Sequence, residues 1–266
     1  GVPAVARGFV NTHFDCTTIA PPRSTLPASG KPCLISAGRP HPAPCAVKMV
    51  HIAAFWRHNQ PPIQKESIMT TPQTMLQLSG RSYAPATLAN ATLLVIDAQE
   101  EYRTGVLALP ALPTALPEIT RLLAAAREAG APVVHVHHLG ITGGLFDPQG
   151  FRGQIMPEAA PQPGEAVVAK RLPNAFAGTD LHDLLQKHGR LDLIVCGFMT
   201  HSSISTTVRA AKDYGYRCTL VDSACATRNL PMGEGSVDAD QVHRMEMTIL
   251  ADNFAVCVPN VEALAR

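Results

Sequence analysis

The chain is predicted to fold as an α/β protein: a doubly wound parallel sheet of about six strands, with helices on both faces, in three α/β/α layers. Three observations predict this. Between residues 91 and 258, short apolar runs alternate with segments of helical period. The apolar runs are continuous rather than alternating, as expected of strands buried on both faces. Three of the helical segments stop at a glycine (Gly130, Gly189 and Gly215), each followed closely by an apolar run rich in β-branched residues. Right-handed crossovers then wind the sheet in both directions.

The elements follow in order. Thr92-Leu93-Leu94-Val95-Ile96-Asp97 is the first strand and ends in an acid. Pro113 to Ala129 is a helix, with Leu116, Ile119, Leu122, Leu123 and Ala126 on one face. Pro132 opens the second strand, Val133 to His137, and Ala166 to Lys170 is the third. Leu181 to His188 is helical, Leu193 to Gly197 a strand, Ser202 to Asp213 helical, and Arg217 to Asp222 a strand. Asp238 to Leu250 and Phe254 to Val258 supply the last helix and strand. The stretch from Leu139 to Glu165, rich in glycine and proline, is about twice the usual upper loop length, which marks a functional loop rather than a connector.

Composition changes near residue 69. Residues 1–68 hold ten of the 23 prolines and three of the seven cysteines, and carry seven Lys/Arg against two acids. Proline runs such as Pro40-His41-Pro42-Ala43-Pro44 cannot join a regular hydrogen-bond ladder. Residues 1–68 are therefore expected to be a Pro-rich extension, disordered or upstream of the natural start at Met69, with 69–266 the functional domain. The overall net charge of +1 gives no sign of a nucleic-acid or membrane-surface partner. The cysteines are neither dense nor regularly spaced, no run is long enough to span a bilayer, and the expectation is a cytoplasmic protein.

In open parallel sheets, ligands bind beyond the carboxyl ends of the strands. Asp97, Lys170 and the Thr200-His201-Ser202-Ser203 turn fall at such ends. A lysine that keeps an acid ionised beside a hydroxyl would make a proton-transfer site, and a solvated edge with one ion pair is the plainer alternative.

Three motifs then occur in order. They are Asp97-Ala98-Gln99-Glu100-Glu101-Tyr102; Lys170 with Ala175-Phe176 and Thr179-Asp180-Leu181; and Gly197, Thr200, Ser203, Thr207, Arg209 and Ala211. With Asp222-Ser223-Ala224 and His243, they resemble the isochorismatase-like, or cysteine hydrolase, superfamily from about Thr92 to Val258. The resemblance implies hydrolysis of a small molecule at an amide or carbamoyl C–N bond or an enol ether. Asp97 would be the acid/base and Lys170 its electrostatic partner. The backbone N–H groups of Met199 and Ser203 would form an oxyanion hole after a cis bond preceding Met199. Gln99, Tyr102, Phe151, Phe176, Thr200 and His201 are expected to contact substrate, with core filling the alternative for the aromatics. The family usually forms dimers or tetramers, so a homo-oligomer is expected.

Ser203 stands where the family usually places its nucleophilic cysteine. A serine hydroxyl is far less acidic than a thiol, so a well-placed base becomes indispensable. Cys196 lies one strand position before Gly197, where its side chain should be buried. Ser203 can accordingly be a serine nucleophile, a replacement of the cysteine in what is otherwise a cysteine enzyme, or a bystander in acid-catalysed enol ether hydrolysis. In a degenerate member the site would only bind a ligand or serve assembly. His135 and His137 share a strand face and could share a metal, but packed histidines are the simpler reading. No metal and no organic cofactor is expected, since Gly143-Gly144 alone is no phosphate-binding fingerprint.

Overall fold

Strand β1 (Ala91–Ile96) lies near the middle of a six-stranded sheet, and its six residues are all buried. Its side chains divide by the period of two that a strand imposes. Leu93 and Val95 enter one hydrophobic cluster, and Leu94 and Ile96 enter the other. A strand buried on both faces needs helices on both, and the continuous apolar run is the sequence signature of that arrangement.

The computed structural model describes residues 71–264; the proposed extension over residues 1–68 lies outside them. The chain forms α1 (Met75–Leu78), β1, α2 (Glu101–Thr104), α3 (Leu112–Glu128), β2 (Val133–His138) and β3 (Ala166–Lys170). It continues through α4 (Leu181–His188), β4 (Asp192–Phe198), a π-helical turn (Thr200–Ile204), α5 (Ser205–Asp213) and β5 (Arg217–Ala226). A hairpin of β6 (Leu230–Met232) and β7 (Gly235–Val237) precedes α6 (Ala239–Asn253) and β8 (Ala255–Val258). The sheet order is β3-β2-β1-β4-β5-β8, and every pairing in it is parallel. Helix α3 packs on one face, where Leu116, Ile119, Leu122 and Leu123 are buried. Residues of α4, α5 and α6, among them Leu185, Val208 and Leu250, fill the other.

The fold class matches the expectation, with local differences. The segment after β4 enters its helix through a π-turn beginning at Thr200, two residues before the expected start, and becomes α-helical only at Ser205. Strand β5 runs four residues past Asp222 because Ser223-Ala224-Cys225-Ala226 is small and continues the pairing with β4. The β6–β7 hairpin, with three residues in each strand, is too short to carry a period. No helix among the described residues is long and apolar enough to cross a membrane.

The order reverses between β1 and β4. From β1 the chain winds through β2 to β3, then crosses back to β4, β5 and β8. Crossover loops diverge at such a point and leave a crevice at the carboxyl ends of the two strands. Closing it takes a glycine: Gly197 pairs with Ile96 at φ +116°, and a Cβ there would lie 2.0 Å from the Ile96 carbonyl oxygen.

Candidate active site

Each strand end contributes to that crevice according to its register. Asp97 follows β1, Lys170 ends β3, and His138, which ends β2, is the register partner of Lys170. Ser203 lies in the turn after β4. The long lysine side chain crosses beneath β2 to reach the acid. Lys170 Nζ is 2.7 Å from Asp97 Oδ2, donates to Ser203 Oγ at 3.0 Å and lies 3.4 Å from His138 Nδ1. An ammonium has three protons, and three acceptors surround this one. Thus Asp97 and Lys170, marked by their strand ends, meet Ser203, marked within its turn by the family resemblance.

The cluster is shut away from water: Asp97 and Lys170 are 1% exposed and Ser203 5%. Burial raises the Asp97 pKa above the usual carboxylate range, against the lowering effects of Lys170 and Ser203. Its backbone sits at φ 51°, a left-handed conformation that aspartate tolerates better than most side chains. Asp97 Oδ1 is buried with no hydrogen-bond partner among the described residues. A buried carboxylate oxygen left open in this way is available to take a proton. Burial, followed by the charges of Lys170, Arg171 and His137, lowers the His138 pKa to about 4, so its ring is neutral at pH 7 and can accept from the lysine.

The turn after β4 is held from behind. The Phe198–Met199 peptide is cis. The Ser202 and Ile204 amides both donate to the Met199 carbonyl, at 3.0 and 3.2 Å. Thr200 Oγ1 lies 2.8 Å from His243 Nδ1, and His243 Nε2 lies 2.7 Å from Asp222 Oδ1, which ties the turn to α6 and β5. His201 Nδ1 is hydrogen-bonded to Thr227 Oγ1 on the loop after β5.

Several residues expected to touch substrate have other work. The Gln99 side chain is consumed by backbone: its Nε2 donates to the His138 and Gly153 carbonyls, and its Oε1 accepts from the His138 amide at 2.8 Å. It clamps the end of β2 to the long loop. Phe151 is 65% exposed on a short 3-10 turn and does not wall the cluster. Phe176 stacks with Tyr214 and Tyr216 in the core beside α4, its alternative reading as core filling. Thr200 turns its hydroxyl to His243 rather than to the carboxylate. Tyr102 does stand close by, 2% exposed between Phe146 and Phe198, with Asp97 and Glu101 among the charges that act on its hydroxyl. Cys196 lies in the core on the α3 side, where burial pushes its thiol up.

His138 is the member that sequence reasoning missed, and its only signal was a position at a strand end. Its neighbour His135 goes a separate way. His135 is buried, with Nε2 2.8 Å from Glu165 Oε2, and Glu165 also pairs with Arg127. Among the described residues, no group of three or more His, Cys, Asp or Glu could hold a metal ion.

The long loop forms the roof. Its Met156 and Gln154 bond the Ala98 carbonyl and the Glu100 amide, at 2.8 and 2.9 Å. Phe146 packs on Tyr102 and on His138, with ring centroids 5.3 and 5.1 Å apart.

Comparisons agree with this fold. The family model for the isochorismatase domain matches residues 91–259. A crystal structure of an isochorismatase from Pseudomonas putida KT2440 is 57% identical, with a TM-score of 0.70, covering 71% of this chain and 97% of that one. A streptothricin hydrolase of Streptomyces noursei is 36% identical over 175 residues, 65% of this chain and 69% of its own length. A maleamate amidohydrolase of Pseudomonas putida is 29% identical over 155 residues, 52% of this chain and 72% of its own. With a six-stranded parallel sheet, a closed cluster at its reversal point and a matching domain over most of the described residues, the chain belongs to the isochorismatase-like hydrolase family.

Proposed function

We propose that the chain hydrolyses an amide or carbamoyl C–N bond of a small molecule, with Ser203 as nucleophile, Asp97 as acid/base and Lys170 as the cation that holds both. The double donation of the Lys170 ammonium, to Asp97 Oδ2 at 2.7 Å and to Ser203 Oγ at 3.0 Å, carries this reading. Its ion pair with Asp97 keeps the lysine charged, so it cannot be the base, and the carboxylate must be. Because Lys170 donates to Ser203 Oγ, the serine's own proton is left to travel to Asp97.

In the first step Oγ attacks the carbonyl carbon while Asp97 takes the hydroxyl proton. The oxyanion is assigned to the backbone N–H groups of Met199 and Ser203. The C–N bond then breaks, Asp97 returns the proton to the leaving nitrogen, and an acyl-serine ester remains. Water then attacks the ester carbonyl while giving a proton to Asp97, and Asp97 returns it to Ser203 Oγ as the C–Oγ bond breaks, which releases the carboxylic acid and restores the serine. Two relatives, a streptothricin hydrolase and a maleamate amidohydrolase, support the hydrolase and the amide respectively.

A second reading is favoured by the raised Asp97 pKa and by the likeness to the isochorismatase of Pseudomonas putida, at 57% identity. A protonated Asp97 would deliver its proton to the carbon of an enol ether, and water would complete the cleavage without a nucleophile. A panel of small amides and enol ethers, assayed with the parent, Ser203→Ala and Asp97→Asn, separates the readings. Amide hydrolysis lost in both variants supports the proposal. Enol ether turnover that survives Ser203→Ala and dies with Asp97→Asn supports the second reading. Turnover unaffected by Asp97→Asn refutes both.

A further inference from the structure

The turn that carries Ser203 is π-helical from Thr200 to Ile204 and becomes α-helical only at Ser205. A π-turn is wider than an α-turn, and it occurs mostly as a single turn, often at functional sites. Here two amides, those of Ser202 and Ile204, share the one Met199 carbonyl. Side chains fix the turn from outside. His201 is tied to Thr227 on the loop after β5, Ser205 Oγ donates to Glu246 of α6 at 2.6 Å, and Thr200 reaches His243. Of these anchors Thr200 is nearest in the chain to Met199, whose amide is assigned to the oxyanion.

The contacts from Thr200 to Asp222 run in one direction. Asp222 Oδ1 lies 2.7 Å from His243 Nε2, and a carboxylate can only accept, so the ring proton sits on Nε2. In the neutral ring Nδ1 is then an acceptor, and the Thr200 hydroxyl, 2.8 Å away, must donate to it. Thr200 is 0% exposed, so without His243 its hydroxyl has no water to turn to. His243 and Asp222 line a cavity of about 380 Å³ between the starts of α3 and α6, together with Ala111, Thr114 and Ala239. Asp97, Lys170 and Ser203 do not line it. The pair stands behind the turn and meets the reaction through Thr200.

We propose that His243, oriented by Asp222, is a positioning residue for hydrolysis. By accepting from Thr200 it holds the turn so that the Met199 and Ser203 amides and Ser203 Oγ face one carbonyl group. Amides stabilise an oxyanion only within a narrow range of distance, and a misplacement of about 1 Å costs roughly 100-fold in rate. The carboxylate does for His243 what the acid does for the histidine of a hydrolytic triad, fixing tautomer and ring orientation. Here the hydroxyl at the far end is a strut, while the nucleophile is Ser203, three residues on. This assignment rests on the reading of Ser203 as nucleophile and adds the support behind it.

The test uses the full chain and p-nitrophenyl acetate, an activated ester that acetylates a nucleophilic serine. The burst of nitrophenolate gives the acylation rate, peptide mass mapping locates the acetyl group, and chemical unfolding checks the fold of each variant. Thr200→Val and His243→Ala should each slow acylation about 10- to 100-fold at saturating ester, with the half-saturating concentration within about two-fold of the parent. Thr200→Ser keeps the hydroxyl and should recover most of the rate. Because both residues act through one bond, the double variant should lose little more than either alone. Nitrogen-15 NMR of the His243 ring in the parent at pH 8 should place the proton on Nε2, a measurement that needs no variant to fold. Acylation unchanged in both variants, losses that multiply in the double variant, or a proton on Nδ1 overturns the assignment while the serine reading stands. Acetyl on Thr200 overturns it by making that hydroxyl the nucleophile. No acetyl on Ser203 in the parent sinks the serine reading, and the assignment with it.

Discussion

Replacing Lys170 by methionine is the sharpest physical test of the cluster. Methionine keeps the apolar stem and opens no large cavity, so the variant chiefly removes the charge. Asp97, 1% exposed, is then left without its cation in a site closed to water. A carboxylate in that position binds a proton rather than stay ionised, and this sets a ceiling on the cost. Taking up a proton at pH 7 from an ordinary pKa of 3.8 costs about 1.4 kcal/mol per pH unit, roughly 4 kcal/mol in all. Burial already raises the Asp97 pKa in the parent, which therefore bears part of this cost, so the loss on removing the lysine lies below that ceiling.

The sign follows from linkage. In Lys170→Met the folded-state pKa of Asp97 lies above its unfolded value. The penalty is therefore absent below the unfolded pKa and grows as pH rises. At pH 5 the ceiling falls to about 2 kcal/mol, and the loss should shrink with it. Urea unfolding of the parent and Lys170→Met at pH 7 and pH 5 measures both numbers. Adding Asp97→Asn to Lys170→Met removes the stranded charge and should restore all but about 1–2 kcal/mol at pH 7. A deficit below about 1 kcal/mol that does not change with pH would refute the buried ion pair, and with it the argument that Lys170 is charged.

Other expectations follow from the same geometry. In Ser203→Cys the thiol should be alkylated by iodoacetamide, and adding Asp97→Asn should slow the reaction at least about ten-fold by removing the base; equal rates would count against Asp97 as proton acceptor. His138→Ala should lower kcat with little change in KM, and His138→Gln should recover part of it by offering Lys170 an acceptor; an unchanged kcat in both would leave the histidine without a part. Burial works to raise the Glu165 pKa, but Arg127, the Gln162 amide and His135 outweigh it and hold it at about 2, below the ordinary 4.5. Glu165→Gln should cost about 2 kcal/mol at pH 7, after allowance for solvent screening at a partner that is 25% exposed. That difference should shrink as pH falls below 4.5 toward 2, and equal denaturant midpoints at pH 7 would contradict it. Gly197→Ala should lose at least about 2 kcal/mol by thermal unfolding, since its Cβ would meet the Ile96 carbonyl at 2.0 Å; a loss below about 1 kcal/mol would mean that β1 and β4 are not in close approach there.

The architecture was legible because it rests on local periodicities. A run such as Leu93-Leu94-Val95-Ile96 has no polar face to show to solvent, and helices ending at Gly130, Gly189 and Gly215 must hand over to something else. Asp97, Lys170 and the Thr200–Ser203 turn were visible for the same reason, since each closes or follows a strand and the carboxyl ends of parallel strands share one edge, while Ser203 was picked out of that turn by its place in the family motif. What the linear order could not decide was which side chains meet once the sheet is wound. Gln99, beside Asp97 in sequence, spends its amide on the backbone of β2 and the roof loop, and Phe176 turns into the core beside α4. His138 joins the site only because β2 lies between β3 and β1, in register with Lys170. Period and end signals act over a few residues and survive in one dimension. Contacts between strand ends depend on sheet order and register, which exist only after distant segments have paired.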